Sequence, residues 1–275
     1  MSEQLVRIGF IGAGNMATAM IKGIIKSKVT KPEYIWIFDI DQQKVLQLTS
    51  KYGVSMASSD IELVNECTIV IPSVKPQYIS EVLTKIREHL TDKHLIISIA
   101  AGISLETIKE ILQNKCSVVR TMPNTPALVG EGMTAICIDK TVSNEHMTQV
   151  KSLFQSFGRI ELIDESHIHA ATAISGSSPA YGFLFIEALA DGGVLMGLSR
   201  EQSYRMAAQS LLGAAKMVLE TGQHPGSLKD MVCSPSGTTI EAVASLEQDG
   251  FRSSIIEAVR LCAEKSALMG RNKGK

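Results

Sequence analysis

No sign of charge dominates this chain: 27 lysines and arginines stand against 28 aspartates and glutamates, for a net charge of −1. Without a summed field to draw it to nucleic acid or to an anionic membrane, the expected partner is a small molecule. Metal-binding patterns are missing too. The five cysteines, Cys67, Cys116, Cys137, Cys233 and Cys262, are widely spaced and form no CxxC or Cys/His ligand set. An odd, scattered set predicts a reduced, cytoplasmic compartment and no metal. The N-terminal MSEQLVRIGFIGAG lacks the basic segment and long apolar stretch of a secretory signal, and no later run reaches about 18 uncharged apolar residues. These absences predict a soluble protein with no cleaved signal.

What is present favours two domains, because 275 residues with 45% hydrophobic content exceed the needs of one ordinary domain. The pattern changes character near residue 165. Before it, β-type runs (LVRIGFI, YIWIF, CTIVIPS, HLIISIA, SVVRT) alternate with helical spacing at 15–27, 41–52, 76–90 and 104–114. Such alternation predicts βαβ units and a parallel sheet, completed by TAICID and RIELI around a helix at 143–156. After Asp164 the β-type runs stop, and helices are predicted at 166–197, 199–221, 238–249 and 251–269. The expected fold class is α/β followed by all-α, with domains at 1–164 and 165–275. Ser199 with Gln202 reads as a capping box, and Gly197 and Gly222 are placed to end helices.

The first chemical signal is IGFIGAGNMATAM, where Gly12, Gly14 and Ala17 make GxGxxA between a strand and a helix. Gly12 permits the tight turn, Gly14 lets backbone approach a pyrophosphate, and Ala17 allows close helix–strand packing. Amides around Ala13, Asn15 and Met16 then face the anion. Asp39 closes the second β-type run, where a carboxylate accepts hydrogen bonds from ribose hydroxyls and repels a 2′-phosphate. An alternative stands beside it: Asp39 or Asp41 caps the following helix, for which Asp41 is adequate alone. Two further strand ends carry breakers, PSVKP and AAG, which place Val74, Lys75 and Ala101 to line the nicotinamide half of a dinucleotide. Lys75 reads equally well as a solvated loop lysine. RTMPNTPALVGEG follows the next strand and fixes an irregular backbone at the same edge.

A second island of breakers, DMVCSPSGTTIEAV at 230–243, offers hydroxyls but no His, Lys or Arg. On residue type alone, Ser234 and Thr238 read as a helix cap and a turn residue. Taken together, FIGAGNMA, VKP, SIAAGIS, VRTMPNTP, SGSSPAY, ALADGGVLMGLSR, LLGAAKM, HPGSLKDMVCSPSGTTIEAV and GFRSSIIEAV make the chain closely resemble pyrroline-5-carboxylate reductase over nearly its whole length. That resemblance implies a Rossmann domain, a helical domain forming an intertwined dimer, and dimers often assembled into decamers, as a pentamer of dimers. It implies NAD(P)H as cofactor, a cyclic imine as substrate, and Asp60 and Pro76 beside the other cofactor residues. Within the loop, it implies that Thr239 meets the ring nitrogen. Ser234, Gly237 and Thr238 grip the carboxylate, with Val232 and Glu165 in the substrate neighbourhood. Thr239 and Ser234 are the expected catalytic pair.

Two positions depart from the family's pattern. Ser236 stands where a glycine is usual, and Asp39 stands where members preferring NADPH tend to have a small or basic residue, so NADH is the expected preference. The nearest alternative is a β-hydroxyacid or 6-phosphogluconate dehydrogenase, which polarises a ketone or alcohol with a cationic acid/base on the interdomain helix. Residues 165–199 contain no Lys or Arg, leaving His169 as the strongest titratable candidate there, although a His early in a helix is more often packed or solvated than catalytic. A dinucleotide-binding sensor without turnover is the non-enzymatic alternative, opposed by the intact SPxGTT loop.

Overall fold

The computed structural model describes residues 6–139 and 141–271. Eight strands form one sheet: β1 (Ile8–Ile11), β2 (Ile35–Phe38), β3 (Ser55–Met56), β4 (Ile69–Pro72), β5 (Leu95–Ser98), β6 (Ser117–Met122), β7 (Gly132–Ile138) and β8 (Gly158–Leu162). Their order is β3-β2-β1-β4-β5-β6-β7-β8, so the chain reverses direction across the sheet between β1 and β4. At such a switch point the carboxyl ends of neighbouring strands diverge and leave a crevice. Helices α1 (Asn15–Lys26), α2 (Gln42–Tyr52), α3 (Asp60–Glu66), α4 (Ile79–Ile86), α5 (Leu105–Ile111) and α6 (Asn144–Gln155) cover both faces. The strands are short, Ile-rich and buried on both sides: every residue of β1, β4 and β5 is buried.

One pairing differs from the sequence expectation. Strand β7 runs antiparallel to β6, while β7 and β8 are parallel. Residues 123–131 hold only a 3-10 turn, too little chain for the crossover that a parallel neighbour needs. Strand β3 and helix α3 also fall where no element was predicted, although Ser59 and Glu62 carry a start signal: Ser59 Oγ accepts from the Glu62 amide.

Beyond the sheet come α7 (Ile168–Ala171), a π turn over Thr172–Gly176, then α8 (Ser178–Leu195), α9 (Arg200–Thr221), α10 (Pro225–Val232), α11 (Thr238–Gln248) and α12 (Phe251–Arg271). The single helix expected at 166–197 is therefore broken, and α10 is additional, with Pro225 at its first position. The predicted capping box of Ser199 and Gln202 is present, and Gly222 ends α9 at φ +65°. The chain divides into two compact units, one comprising residues up to Ser177 with those from Cys262, the other Ser178–Leu261. The helical unit packs chiefly through α8 and α9.

Candidate functional site

The first strand hands the chain to α1 through Gly12, whose φ of +110° suits only glycine. A Cβ there would stand 2.8 Å from the backbone carbon and oxygen of Ser73, so the turn is closed on its inner side. Gly14 differs: a Cβ on it meets nothing within 4 Å. Its glycine is not required by protein packing, which leaves close approach of a ligand to its backbone as the reason. Helix α1 starts on Gly14 without a capping side chain, whereas α2, α3, α5 and α6 are capped by Asp41, Ser59, Ser104 and Ser143. The α1 amides are thus left for an anion. Ala17 is fully buried and lets the helix sit down on the sheet.

Asp39 is half-buried, and its two carboxylate oxygens accept from the Ala13 amide at 2.6 Å and the Asp41 amide at 2.8 Å. Asp41 itself caps α2 through the Gln43 amide. Asp39 is therefore not that helix's cap. It ties the glycine turn to the end of β2, and its orientation is set before any ligand arrives. Lys44 Nζ lies 3.3 Å from Asp41 and holds that carboxyl below the usual range.

A cleft of about 630 Å³ opens here, lined by Gly12, Gly14, Asp39, Ile40, Val74 and Lys75 among others. Val74 and Lys75 share this cavity with Asp39. Asp60, 3% exposed, also borders the cleft and is paired with Lys85 Nζ at 2.9 Å. Pro76 begins a 3-10 turn beside Lys75. Asn15 is exposed and Met16 half-buried at the start of α1. Ala101, half-buried after β5, does not line this cleft. Sequence reasoning missed Ile40, Lys44, Tyr78 and Lys85 as lining residues. Only Lys44 had a local signal, three residues after Asp41.

Glu165 is engaged elsewhere. Its Oε1 accepts from Arg120 Nη1 at 2.8 Å and from the Leu105 amide at 2.7 Å, and the Arg120 side chain is only 6% exposed. A carboxylate that neutralises a buried guanidinium has a structural task, and its removal leaves that charge unpaired. Burial pushes the thiols of Cys67 and Cys137 up to about 12 and about 11, so neither is a nucleophile near neutral pH.

In the helical unit, α10 ends at Val232, which is exposed, and Ser234 accepts a hydrogen bond from the Gly237 amide at 3.0 Å. Pro235 and Ser236, the latter at φ +56°, occupy the two central positions, the pattern of a type II turn. That geometry explains why glycine suits position 236. A Cβ on Gly237 would stand 2.3 Å from Ser234 Oγ and 3.1 Å from the Ser234 carbonyl oxygen, so a side chain there would turn the Ser234 hydroxyl out of its present position. Helix α11 starts on Gly237 with no capping side chain, as α1 starts on Gly14. Ser234 and Thr238 are exposed and Thr239 is half-buried in its first turn. Ser234 is thus not the side-chain cap of α11, and the loop presents amides and hydroxyls with no carboxylate, His, Lys or Arg.

The strand order, the switch point and the open glycine turn define a dinucleotide-binding oxidoreductase domain joined to a helical unit. Comparison with known proteins narrows the class. Residues 165–269 match the family described as pyrroline-5-carboxylate reductase dimerisation, and residues 7–102 match the one described as NADP oxidoreductase coenzyme F420-dependent. The pyrroline-5-carboxylate reductase of Escherichia coli (strain K12) is 46% identical over 266 residues, 97% of this chain and 99% of that protein. Among solved structures, the Plasmodium falciparum pyrroline carboxylate reductase with NADP bound is 36% identical, with a TM-score of 0.87 over 96% of this chain and 98% of its own. The Coxiella burnetii pyrroline-5-carboxylate reductase is 32% identical, with a TM-score of 0.91 over 97% and 99%. The chain belongs to the pyrroline-5-carboxylate reductase family. Among the described residues no helix is long and apolar enough to cross a membrane.

Proposed function

We propose that this chain reduces the C=N bond of 1-pyrroline-5-carboxylate to L-proline with NAD(P)H, and that the loop between α10 and α11 performs the substrate chemistry. The observation that carries the reading is the uncapped α11 terminus flanked by Ser234 and Thr239, with no carboxylate, His, Lys or Arg in the loop. When bound, the dinucleotide supplies two electrons as hydride to the imine carbon; the ring nitrogen then needs one proton. An imine requires less activation than a ketone, so a hydroxyl donor suffices. Thr239 donates to the ring nitrogen and relays that proton. Ser234, Gly237 and Thr238 hold the carboxylate through hydroxyls and amides, aided by the helix terminus. Val232 borders the ring. Glu165, which the family resemblance puts in the substrate neighbourhood, is paired with Arg120 and the Leu105 amide.

Gly12, Ala13, Gly14, Asn15 and Met16 form the cofactor turn; the Gly12 and Ala13 amides are held by the Phe38 carbonyl and by Asp39, so the amides from Gly14 to Met16 meet the pyrophosphate. Asp39, held by two amides, presents its remaining lone pairs to ribose hydroxyls, which favours NADH over NADPH. Asp60 and Pro76 join the cofactor residues, and Val74, Lys75 and Ala101 line the nicotinamide half. The functional domains are taken as 1–164 and 165–275, with a homodimer as the minimum unit, a pentamer of dimers as the larger assembly, and the cytoplasm as the compartment.

The test is oxidation of NADH or NADPH by the purified protein when pyrroline-5-carboxylate is added. Thr239→Val keeps the shape and removes the donor, so kcat/KM is expected to fall roughly 10²-fold, while Thr239→Ser loses much less. Dissociation constants for the cofactor stay within about threefold, below roughly 0.7 kcal/mol. Near-wild-type turnover in the Val variant would assign proton delivery to water.

A further inference from the structure

Two of the few buried polar side chains in the sheet, which also include Arg120 and Thr134, are hydroxyls beside the turn that follows β5. Ser98 ends β5 after Leu95, Ile96 and Ile97, each 0% exposed, and is itself 2% exposed; Thr121 in β6 is 1% exposed. Thr121 Oγ1 donates to the Ser98 carbonyl at 3.1 Å, and the Ala100 amide donates to Ser98 Oγ at 3.3 Å. Valine at either position would suit the strand pattern better, so the hydroxyls answer to something other than packing.

What they fix is the turn beyond β5. Ala100 is 4% exposed and held by Ser98, and the chain then bends at Gly102 with φ +76°. On its outer side the turn meets the end of α12: a Cβ on Gly102 would stand 3.5 Å from the Gly270 amide nitrogen. Asp39 and the cleft mark the adenosine end at β2, on one side of the switch point. A dinucleotide crossing that point extends over the carboxyl ends of β4, β5 and β6, which brings its redox ring to the 100–102 turn.

We propose that Ser98 and Thr121 are positioning residues for hydride transfer, holding the Ala100–Gly102 turn as a rigid floor for the nicotinamide ring. This rests on the dinucleotide reading given above. Neither side chain touches the cofactor: Ser98 acts on the Ala100 amide, and Thr121 acts one step back, on the Ser98 carbonyl. Hydride transfer is sensitive to displacements well under 1 Å, whereas affinity is set largely by the distant adenosine half.

The experiment uses full-length Thr121→Val, Thr121→Ser and Ser98→Ala. Amide hydrogen exchange over residues 99–103, measured without cofactor, should quicken about tenfold in the Val and Ala variants and stay near wild type in Thr121→Ser. With cofactor and substrate, kcat should fall about tenfold in the first two. The isotope effect with C4-deuterated cofactor should rise, while the KM for cofactor and the Kd for ADP-ribose stay within about twofold. Unchanged exchange and kcat in Thr121→Val would overturn the proposal. So would loss of ADP-ribose binding in parallel with kcat, which marks general damage to the domain. If Thr121→Val does not fold, Ser98→Ala carries the same readings. A wild-type protein that fails to turn over pyrroline-5-carboxylate defeats the functional reading, and the exchange measurement still decides whether the hydroxyls hold the turn.

Discussion

In the sheet unit, Phe10, Phe154 and Ile71 are 0% exposed, whereas in the helical unit Phe183, Leu184, Leu195 and Met196 are exposed by 66–84%. The contrast follows from how each unit meets its apolar faces. Strands β1, β4 and β5 are covered on both sides by helices of the same unit, so their Ile-rich runs are satisfied internally. Helix α8 is apolar around most of its circumference, yet only Ala190 on it is buried. A helix of that kind needs further surfaces to pack on. Each large side chain left in water forgoes about 1.5–3 kcal/mol of burial. The sheet unit covers its own apolar strands, while the helical unit leaves apolar faces open, in keeping with its match to the family described as pyrroline-5-carboxylate reductase dimerisation.

Breaking this contrast should produce the largest effect. Phe183→Asp combined with Leu184→Asp places two charges on the exposed face of α8, where burial of an unpaired carboxylate is costly. We expect light scattering to show monomers and kcat/KM to fall by more than about 10²-fold. A fully active dimer in that variant would show that this face is not the one a second copy covers.

A smaller effect sharpens the comparison from the other side, since the sheet unit's polar edge concerns ligand rather than a second chain. Asp39→Ser should lower the ratio of kcat/KM for NADH to that for NADPH by roughly tenfold, or about 1.4 kcal/mol. The variant also weakens the tie to the Ala13 amide, so both KM values should rise. The ratio isolates the ribose contact, and a wild type that strongly prefers NADPH would refute the assignment.

The smallest effect lies in the loop before α11. Serine at φ +56° costs about 1 kcal/mol, but a glycine there gains unfolded-state entropy worth roughly 0.4–1 kcal/mol against the fold. The two nearly cancel. Ser236→Gly should therefore move Tm by less than about 2 °C, while Ser236→Val, β-branched in a left-handed position, should lower it by more. Thermal melts of the pair decide whether Ser236 is strained to the extent its φ implies.

Much of this molecule is written locally. The glycine turn at Gly12 and Gly14, the βα alternation, the capping box at Ser199 and the hydroxyl-rich loop at 230–243 all depend on residues within one turn or strand of each other. Such signals act through backbone dihedrals and short-range hydrogen bonds, so they can be read without knowing the fold. Helices α3 and α10 were overlooked although Ser59 with Glu62, and Pro225 after His224, announce them. Both are short, and a stretch under two or three turns carries little periodicity.

The amino-acid sequence by itself determined where most strands and the longer helices begin, and the glycine turn and the 233–237 loop, because those choices are made by propensity and turn chemistry over a few residues. Tertiary structure decided the rest. Only the assembled sheet turns β7 antiparallel, brings Asp39 to the Ala13 amide, and commits Glu165 to Arg120, 45 residues away. It also leaves the faces of α8 bare. Each of these depends on which distant groups arrive at hydrogen-bonding or packing distance, and that is set by strand register and helix placement across the whole chain, which no local pattern encodes.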